Sequence, residues 1–440
     1  MKIWVISSPP FLRDFEKLTS HWPRDIETII TPVTNFPLGP RGIKSFLALE
    51  KQIAPNVILT DHGHPAFLAL RLRKLLGLSQ VKTFLFLRGN YWLESKNYST
   101  KLNKQKIYEL TIKTAPANFL SLQGLDGYTY NYVTLKRDGE HKVYTYGSIV
   151  PGKYNLNITD EEGVSNSSVI NIPLDTKADK TTSLHTVTIL DTLAPFARKR
   201  EDIRLWLLKL GWKQLIDGAE KIITVCEYLE KEASQNCSRP TVVCPIGIDE
   251  YTDKPKDLRL KHPSVAIIQN HQIAQKSEAL LSFISIIQKL PGITFYVSKG
   301  NPENRSNQNY RDVINAYSKL ANVILVDINP SNREDYLANT DLYILRSGLD
   351  CTPATIIEAA MVGKPVLASK IGGVPEMIIN GKTGWSIENN NSREWLNKIK
   401  LLTQDKKLAE ALGHQGKEHA IKTYSTSIVS KKLLKIISDL

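Results

Sequence analysis

The chain is poor in sulfur: of its 440 residues, 4 are Cys and 3 are Met. The cysteines (Cys226, Cys237, Cys244 and Cys351) show neither paired metal-ligand spacing nor a dense framework. That excludes a small disulfide-stapled fold and a zinc ribbon, and a reducing cytoplasm is the simplest compartment. No segment approaches the roughly 18 uninterrupted apolar residues that a membrane helix needs. Met1–Ser8 (MKIWVISS) runs straight into Pro9-Pro10; without a longer apolar core and a small-residue cleavage site it reads as a buried strand, not a signal peptide. The Asn-x-Ser/Thr triplets at Asn97, Asn157 and Asn166 are then expected to be chance. Zinc fingers, RNP-like aromatic signatures and basic repeats are missing too, so nucleic acid is not an expected partner. The net charge of +13 favours other anions, such as nucleotide diphosphates or acidic lipid surfaces.

What is present falls into three textures. To about Glu94, apolar runs (KIWVIS, NVILTD, TFLFLRG) alternate with helical patterns such as FLALRLRKLLG, the signature of a parallel sheet covered by helices. From about Leu102 to Thr188, Tyr, Val, Ile and Thr alternate with polar residues at period two, and Asp138-Gly139 sits between two such runs as a hairpin signal. We expect an inserted antiparallel β-module here, of Ig-like sandwich type; a β-hairpin flap on the first domain is the alternative. From about Asp191 the strand and helix alternation returns. Arg198–Leu215 is an amphipathic helix with Trp206, Leu207, Leu210 and Trp212 among basic residues. Packing on the first sheet is its leading reading, and peripheral contact with an anionic membrane surface is the other. VAIIQN, ITFYVS, NVILVD, DLYILR and PVLAS, separated by helical patterns, form a second doubly wound α/β domain.

The richest segment begins at DLYILR. Asp350-Cys-Thr352-Pro353 follows that strand, with Thr352 expected as a helix N-cap and Pro353 as the first helical residue. Gly363-Lys364-Pro365 then stops the helix. A loop at the carboxyl end of a parallel strand is where open α/β sheets bind ligands, and a helix N-terminus at Thr352, Pro353, Ala354 and Thr355 favours phosphate. Glu358 can still reach the mouth of that site; a carboxylate repels phosphate but accepts sugar hydroxyls. Alone, Glu358 would read as the capping-box partner of Thr355.

It does not stand alone. Asp350 and Glu358, the Gly-Lys-Pro stop and Gly372-Gly373-Val-Pro375-Glu376 together resemble the donor domain of family 4 glycosyltransferases of GT-B fold. Their Glu-x7-Glu hallmark appears here as Asp-x7-Glu, in the manner of a branch carrying Asp-Gly-Thr-Pro. Asn380-Gly-Lys-Thr-Gly384-Trp and Cys244-Pro-Ile-Gly247-Ile-Asp249 are similar to further family turns. The family's Arg-x4-Lys, which neutralises the diphosphate, reads His271-x4-Lys276 here. On the acceptor side, His62 and His64 stand in the family's His-x-His stretch. Arg88, with Asn90 nearby, occupies the place of a family histidine implicated in catalysis, and Ser7-Ser8-Pro9-Pro10 replaces a Gly-Gly loop. Arginine cannot serve as a base, so Arg88 is expected to bind an anionic acceptor or the donor phosphate.

The resemblance implies two Rossmann-like domains facing a cleft. It divides the chain into residues 1–101 and 189–245 (acceptor side), 102–188 (β-module), 246–420 (donor domain) and 421–440 (a C-terminal helix that can cross back). It also implies retaining transfer of a sugar from a nucleotide-diphosphate sugar to a saccharide, lipid-linked or other small acceptor. Glu358 would hold the ribose and Asp350 the transferred sugar. Lys276, helped by His271, would face the diphosphate, with Gly372 and Gly373 beside the donor. No metal or further cofactor is expected, and the compartment implied is the cytoplasm or the inner membrane face. A nucleotide-sugar epimerase of the same fold, or a degenerate nucleotide-sugar-binding subunit, are the rival readings.

Overall fold

The computed structural model describes residues 1–7, 12–32, 40–61, 81–87, 219–252, 254–271, 273–300 and 308–439, together with the backbone of the strands between 108 and 190. The chain divides into two units: residues 1–96, 202–250 and 420–440, and residues 97–201 and 251–419.

Among the described residues the first unit is built on six strands: β1 (Lys2–Ser7), β2 (Glu27–Pro32), β3 (Val57–Thr60), β4 (Lys82–Leu87) and, much later in the chain, β14 (Lys221–Thr224) and β15 (Thr241–Val243). They lie in the order β15-β14-β4-β3-β1-β2, every neighbouring pair parallel. Strands covered on both faces read as continuous apolar runs, and Ile3–Ile6, Ile58, Leu59 and Phe84–Leu87 are buried accordingly. The helix Leu12–Ser20 buries Phe15 and Leu18 and is fastened to the C-terminal helix Thr426–Ser438. Ser430 Oγ donates to Leu18 O at 2.6 Å, and Trp22 Nε1 donates to Ser430 O at 3.3 Å.

Between β4 and β14 the described residues form nine strands: β5 (Tyr108–Thr114), β6 (Phe119–Gly124), β7 (Thr129–Tyr130), β8 (Thr134–Asp138), β9 (His141–Ile149), β10 (Gly152–Thr159), β11 (Ser165–Ile172), β12 (Lys180–Thr181) and β13 (His185–Leu190). Their pairings are all antiparallel and make two sheets, β11-β10-β6-β7 and β12-β13-β5-β9-β8. Asp138 stands opposite His141 at the β8–β9 connection, where Asp138-Gly139 signals a turn. The amphipathic stretch Arg198–Leu215 lies outside the described residues.

The second unit carries β16 (Ser264–Ile267), β17 (Thr294–Ser298), β18 (Val323–Val326), β19 (Leu342–Leu345), β20 (Val366–Ser369) and β21 (Gly384–Ile387). Their order is β18-β17-β16-β19-β20-β21, all parallel. This is the doubly wound arrangement in which the strand order reverses once, between β16 and β19. The two parallel sheets are the two Rossmann-like halves of a GT-B fold. Helices Ala274–Gln288 and Ser392–Gln404 supply Phe283, Ile287, Trp395, Ile399 and Leu402 to the second core, with the Phe283 and Trp395 rings edge to face at 5.3 Å. Among the described residues no helix is long and apolar enough to cross a membrane.

Candidate active site

The site forms where β16 and β19 end side by side, because the reversal of strand order there leaves a crevice no crossover helix covers. The two strand ends are locked together: Arg346 N donates to Gln269 Oε1 at 3.1 Å and Gln269 Nε2 to Arg346 O at 2.7 Å. The Arg346 side chain turns inward and is 2% exposed. Its Nε donates to Ala279 O (3.2 Å), Nη1 to Asn389 Oδ1 (2.6 Å), and Nη2 to Ser282 Oγ (3.2 Å) and Asn389 O (2.7 Å). The guanidinium also lies over the Phe283 and Trp395 rings at 5.4 and 5.2 Å. Burial pulls its pKa down to about 9, so it stays charged at neutral pH. Asn389 Nδ2 closes the network on Ser347 O at 2.8 Å. Each guanidinium nitrogen thus has an acceptor, as a charge away from water requires.

The loop so anchored presents Asp350. Gly348 allows it to lie flat on the start of helix Ala274–Gln288, since a Cβ at that position would sit 2.6 Å from Gln275 O. Lys276, the third residue of that helix, donates from Nζ to Asp350 Oδ1 at 2.7 Å, the two side chains 14% and 12% exposed. Lys276 is therefore a held cation and not a solvated loop lysine. Asp350 Oδ2 is buried without a partner, as is Thr352 Oγ1.

Helix Ala354–Met361 begins one residue later than the sequence suggests. Pro353 is its N-cap, at φ −68° and ψ 115°, and Thr352 precedes the cap instead of forming it. A proline fits that position because its fixed φ and missing N–H cost nothing at a helix start. The helix ends at Met361, and Gly363 follows in the left-handed region at φ +75°, as the Gly-Lys-Pro stop implies. The Thr355–Glu358 capping box does not form: Thr355 Oγ1 accepts from the buried Tyr343 hydroxyl at 2.6 Å. Glu358 instead takes Nη1 of Arg333 on both carboxylate oxygens, at 2.8 and 2.9 Å. Gly372 (φ +47°) and Gly373 follow β20, with Gly373 capping the short helix Val374–Met377.

His271, at the place of the family arginine, is 1% exposed. Its Nε2 donates to Ser298 O at the end of β17, and its own carbonyl accepts from Ser277 Oγ at 2.8 Å. Burial lowers its pKa, so the ring is neutral and its one N–H is already engaged. The unpartnered Nδ1 is then an acceptor, which cannot help to neutralise a phosphate as the sequence reading allowed. His271 pins the ends of β16 and β17 together.

His62, His64, Arg88 and Asn90 lie outside the described residues. Sequence reasoning missed Arg333, Arg346, Tyr343 and Asn389. The one local sign for Arg333 was its place just after the carboxyl end of β18; Arg346 looked like an ordinary strand terminus.

Three kinds of comparison place this geometry among known proteins. Solved structures of the same architecture include sucrose-phosphate synthase from Thermosynechococcus elongatus (TM-score 0.62, 11% identity, covering 99% of this chain and 98% of that one). Another is HepE of Anabaena in complex with UDP-glucose (TM-score 0.62, 12% identity, 100% of both chains). These define a protein of GT-B fold. Residues 280–419, which contain Arg333, Asp350 and Glu358, match the family described as glycosyl transferases group 1, and the chain is accordingly a GT-B protein resembling family 4 glycosyltransferases. Among curated relatives, a D-inositol 3-phosphate glycosyltransferase of Gordonia bronchialis is 26% identical over 48% of this chain and 50% of its own. The capsular polysaccharide biosynthesis glycosyltransferase CapM of Staphylococcus aureus is 25% identical over 26% of this chain and 29% of its own. The chain thus spans half or less of the length of these relatives.

Proposed function

We propose that this protein is a retaining glycosyltransferase that moves a sugar from a nucleotide-diphosphate sugar to a saccharide, lipid-linked or other small acceptor. The observation that carries the reading is the pairing of two carboxylates with two cations, Lys276–Asp350 and Arg333–Glu358, at the carboxyl ends of a doubly wound sheet. Acids alone would repel a diphosphate, and cations alone would not select a sugar. In this reading Lys276 and the first turn of helix Ala354–Met361 meet the diphosphate, whose developing charge is the main target for catalysis. Drawing Lys276 to phosphate releases Asp350 to accept hydroxyls of the transferred sugar. Glu358 accepts from the ribose. The departing phosphate takes the acceptor proton, and no metal or other cofactor is required by these roles. The acceptor side would include His62, His64, Arg88 and Asn90, and contact with an anionic membrane surface would come from the amphipathic stretch Arg198–Leu215.

The test uses the full chain. At about 100 times its dissociation constant a nucleotide sugar should stabilise the protein by about 2.7 kcal/mol, a readable melting shift. Lys276→Ala should lower transfer by roughly two to three orders of magnitude, the usual cost of removing one charge-stabilising donor. No melting shift with any nucleotide or nucleotide sugar would sink the proposal. Sugar interconversion without transfer would favour an epimerase, and binding without turnover a degenerate subunit.

A further inference from the structure

The nucleotide-sugar reading leaves His271 without a task, although its ring is 1% exposed and lies at the end of β16. The ring donates through Nε2 to Ser298 O at the end of β17. Gly300, at φ +73°, closes over it, where a Cβ would stand 3.2 Å from His271 Cδ2. The Tyr310 ring is 6.3 Å away between centroids. A hydrogen bond in so packed a seat fixes the backbone that carries it. That backbone in turn holds helix Ala274–Gln288. The N-cap residue of the helix, Ile273, offers no side-chain hydrogen bond. Ser277, in the first turn, reaches back instead, its Oγ donating to His271 O at 2.8 Å and to Ile273 O at 3.3 Å. Gly348 lies against the same turn, at Gln275 O. Lys276 stands between Gln275 and Ser277, so both its chain neighbours are held by other segments.

The anchoring matters because of the side chain it carries. Lysine is a compact charge on a flexible four-carbon stem. Asp350 holds the Lys276 ammonium at 2.7 Å. In the proposed function a diphosphate draws it off Asp350, and from then on the backbone of the first turn sets its aim. We infer that His271 is a positioning residue for Lys276: by joining the ends of β16 and β17 and receiving Ser277, it sets the direction from which the ammonium meets a diphosphate. The inference rests on the nucleotide-sugar reading above and gives the buried histidine a part in it that needs no contact with the ligand.

The experiment is a double-mutant cycle, read in dissociation constants of the full chain for uridine, guanosine and adenosine diphosphates. For the best-bound base, Lys276→Ala should weaken binding roughly tenfold to a hundredfold, the worth of one hydrogen bond from a charged group. His271→Leu should weaken it roughly fivefold and Ser277→Ala about threefold, one neutral hydrogen bond each. In the Lys276→Ala background neither should change binding by more than about twofold, because the cation they aim is gone. His271→Gln should stay within about twofold of wild type: glutamine Nε2 lies as many bonds from Cβ as histidine Nε2 and still donates to Ser298 O. Ser277→Ala is the readout should the leucine variant not fold. A merely structural role would weaken binding by the same factor with and without Lys276, and that additive cycle overturns the inference. Wild-type affinity in both His271→Leu and Ser277→Ala, or a glutamine variant as weak as the leucine one, overturns it too. A wild type that binds no diphosphate, or a Lys276→Ala variant that binds like it, removes the footing of the proposed function and this inference with it; an additive cycle removes this inference alone.

Discussion

The two parallel sheets end in different chemistry at equivalent places. In the first, strand order reverses between β1 and β3, and the ends of those strands meet through Ser7 Oγ donating to the Asp61 carboxylate at 2.8 Å, both residues buried. In the second, the reversal between β16 and β19 is lined by the Lys276–Asp350 pair, with Glu358 on the helix that follows β19 paired to Arg333 on the helix that precedes it. Among the described residues, the first shows an acid held by a hydroxyl. The second sets two acids against two cations with buried polar atoms left over. One fold therefore supplies the same kind of crevice twice, and the side chains at the strand ends give each its own chemistry.

Three experiments would break or sharpen that contrast. The largest effect is expected at Arg346. Replacing it with Leu removes four side-chain hydrogen bonds and leaves the acceptors Ala279 O and Asn389 O without that donor, at a cost of roughly 3–5 kcal/mol. A chemical denaturation midpoint matching wild type would show that the second crevice does not depend on its buried arginine. A smaller effect is expected on the first unit. Arg88→Ala should raise the acceptor KM by roughly tenfold, about the worth of one charge-assisted hydrogen bond, and leave donor affinity alone; a matching loss of donor affinity would move Arg88 to the donor side.

The smallest effect concerns His271. Its pKa is lowered by burial, so below the ordinary value of 6.5 the unfolded chain takes up a proton that the native chain refuses. The stability His271 contributes is complete above that value and declines as pH falls through the window down to its lowered folded pKa. Melting temperatures of wild type and His271→Gln should therefore converge as pH falls from 7 to 5. Parallel curves would mean that the ring is not held neutral.

The donor half was the more legible half because its chemistry sits in short stretches. Asp350, Thr352-Pro353, Glu358 and Gly363-Lys364-Pro365 are all set by one strand, one loop and one helix, and local backbone rules order them. Even there the cap fell one residue late, at Pro353, and Glu358 turned out to face an arginine 25 positions upstream. His271 shows the same dependence on distant partners. Its place in the motif suggested phosphate, while its ring was committed to Ser298, a partner on a different strand.

Hydrophobic periodicity and turn residues are local quantities, so the alternation of strands and helices, the two doubly wound halves and the antiparallel texture of 108–190 followed from the order of residues alone. Which charges meet is not local. Lys276 finds Asp350, Arg333 finds Glu358 and Arg346 finds Asn389 because parallel strands align their carboxyl ends whatever the length of chain between them. A buried charge must then take whatever partner packing puts within about 3 Å. The residue order supplied the carboxylates, and tertiary packing chose the cations that tune them.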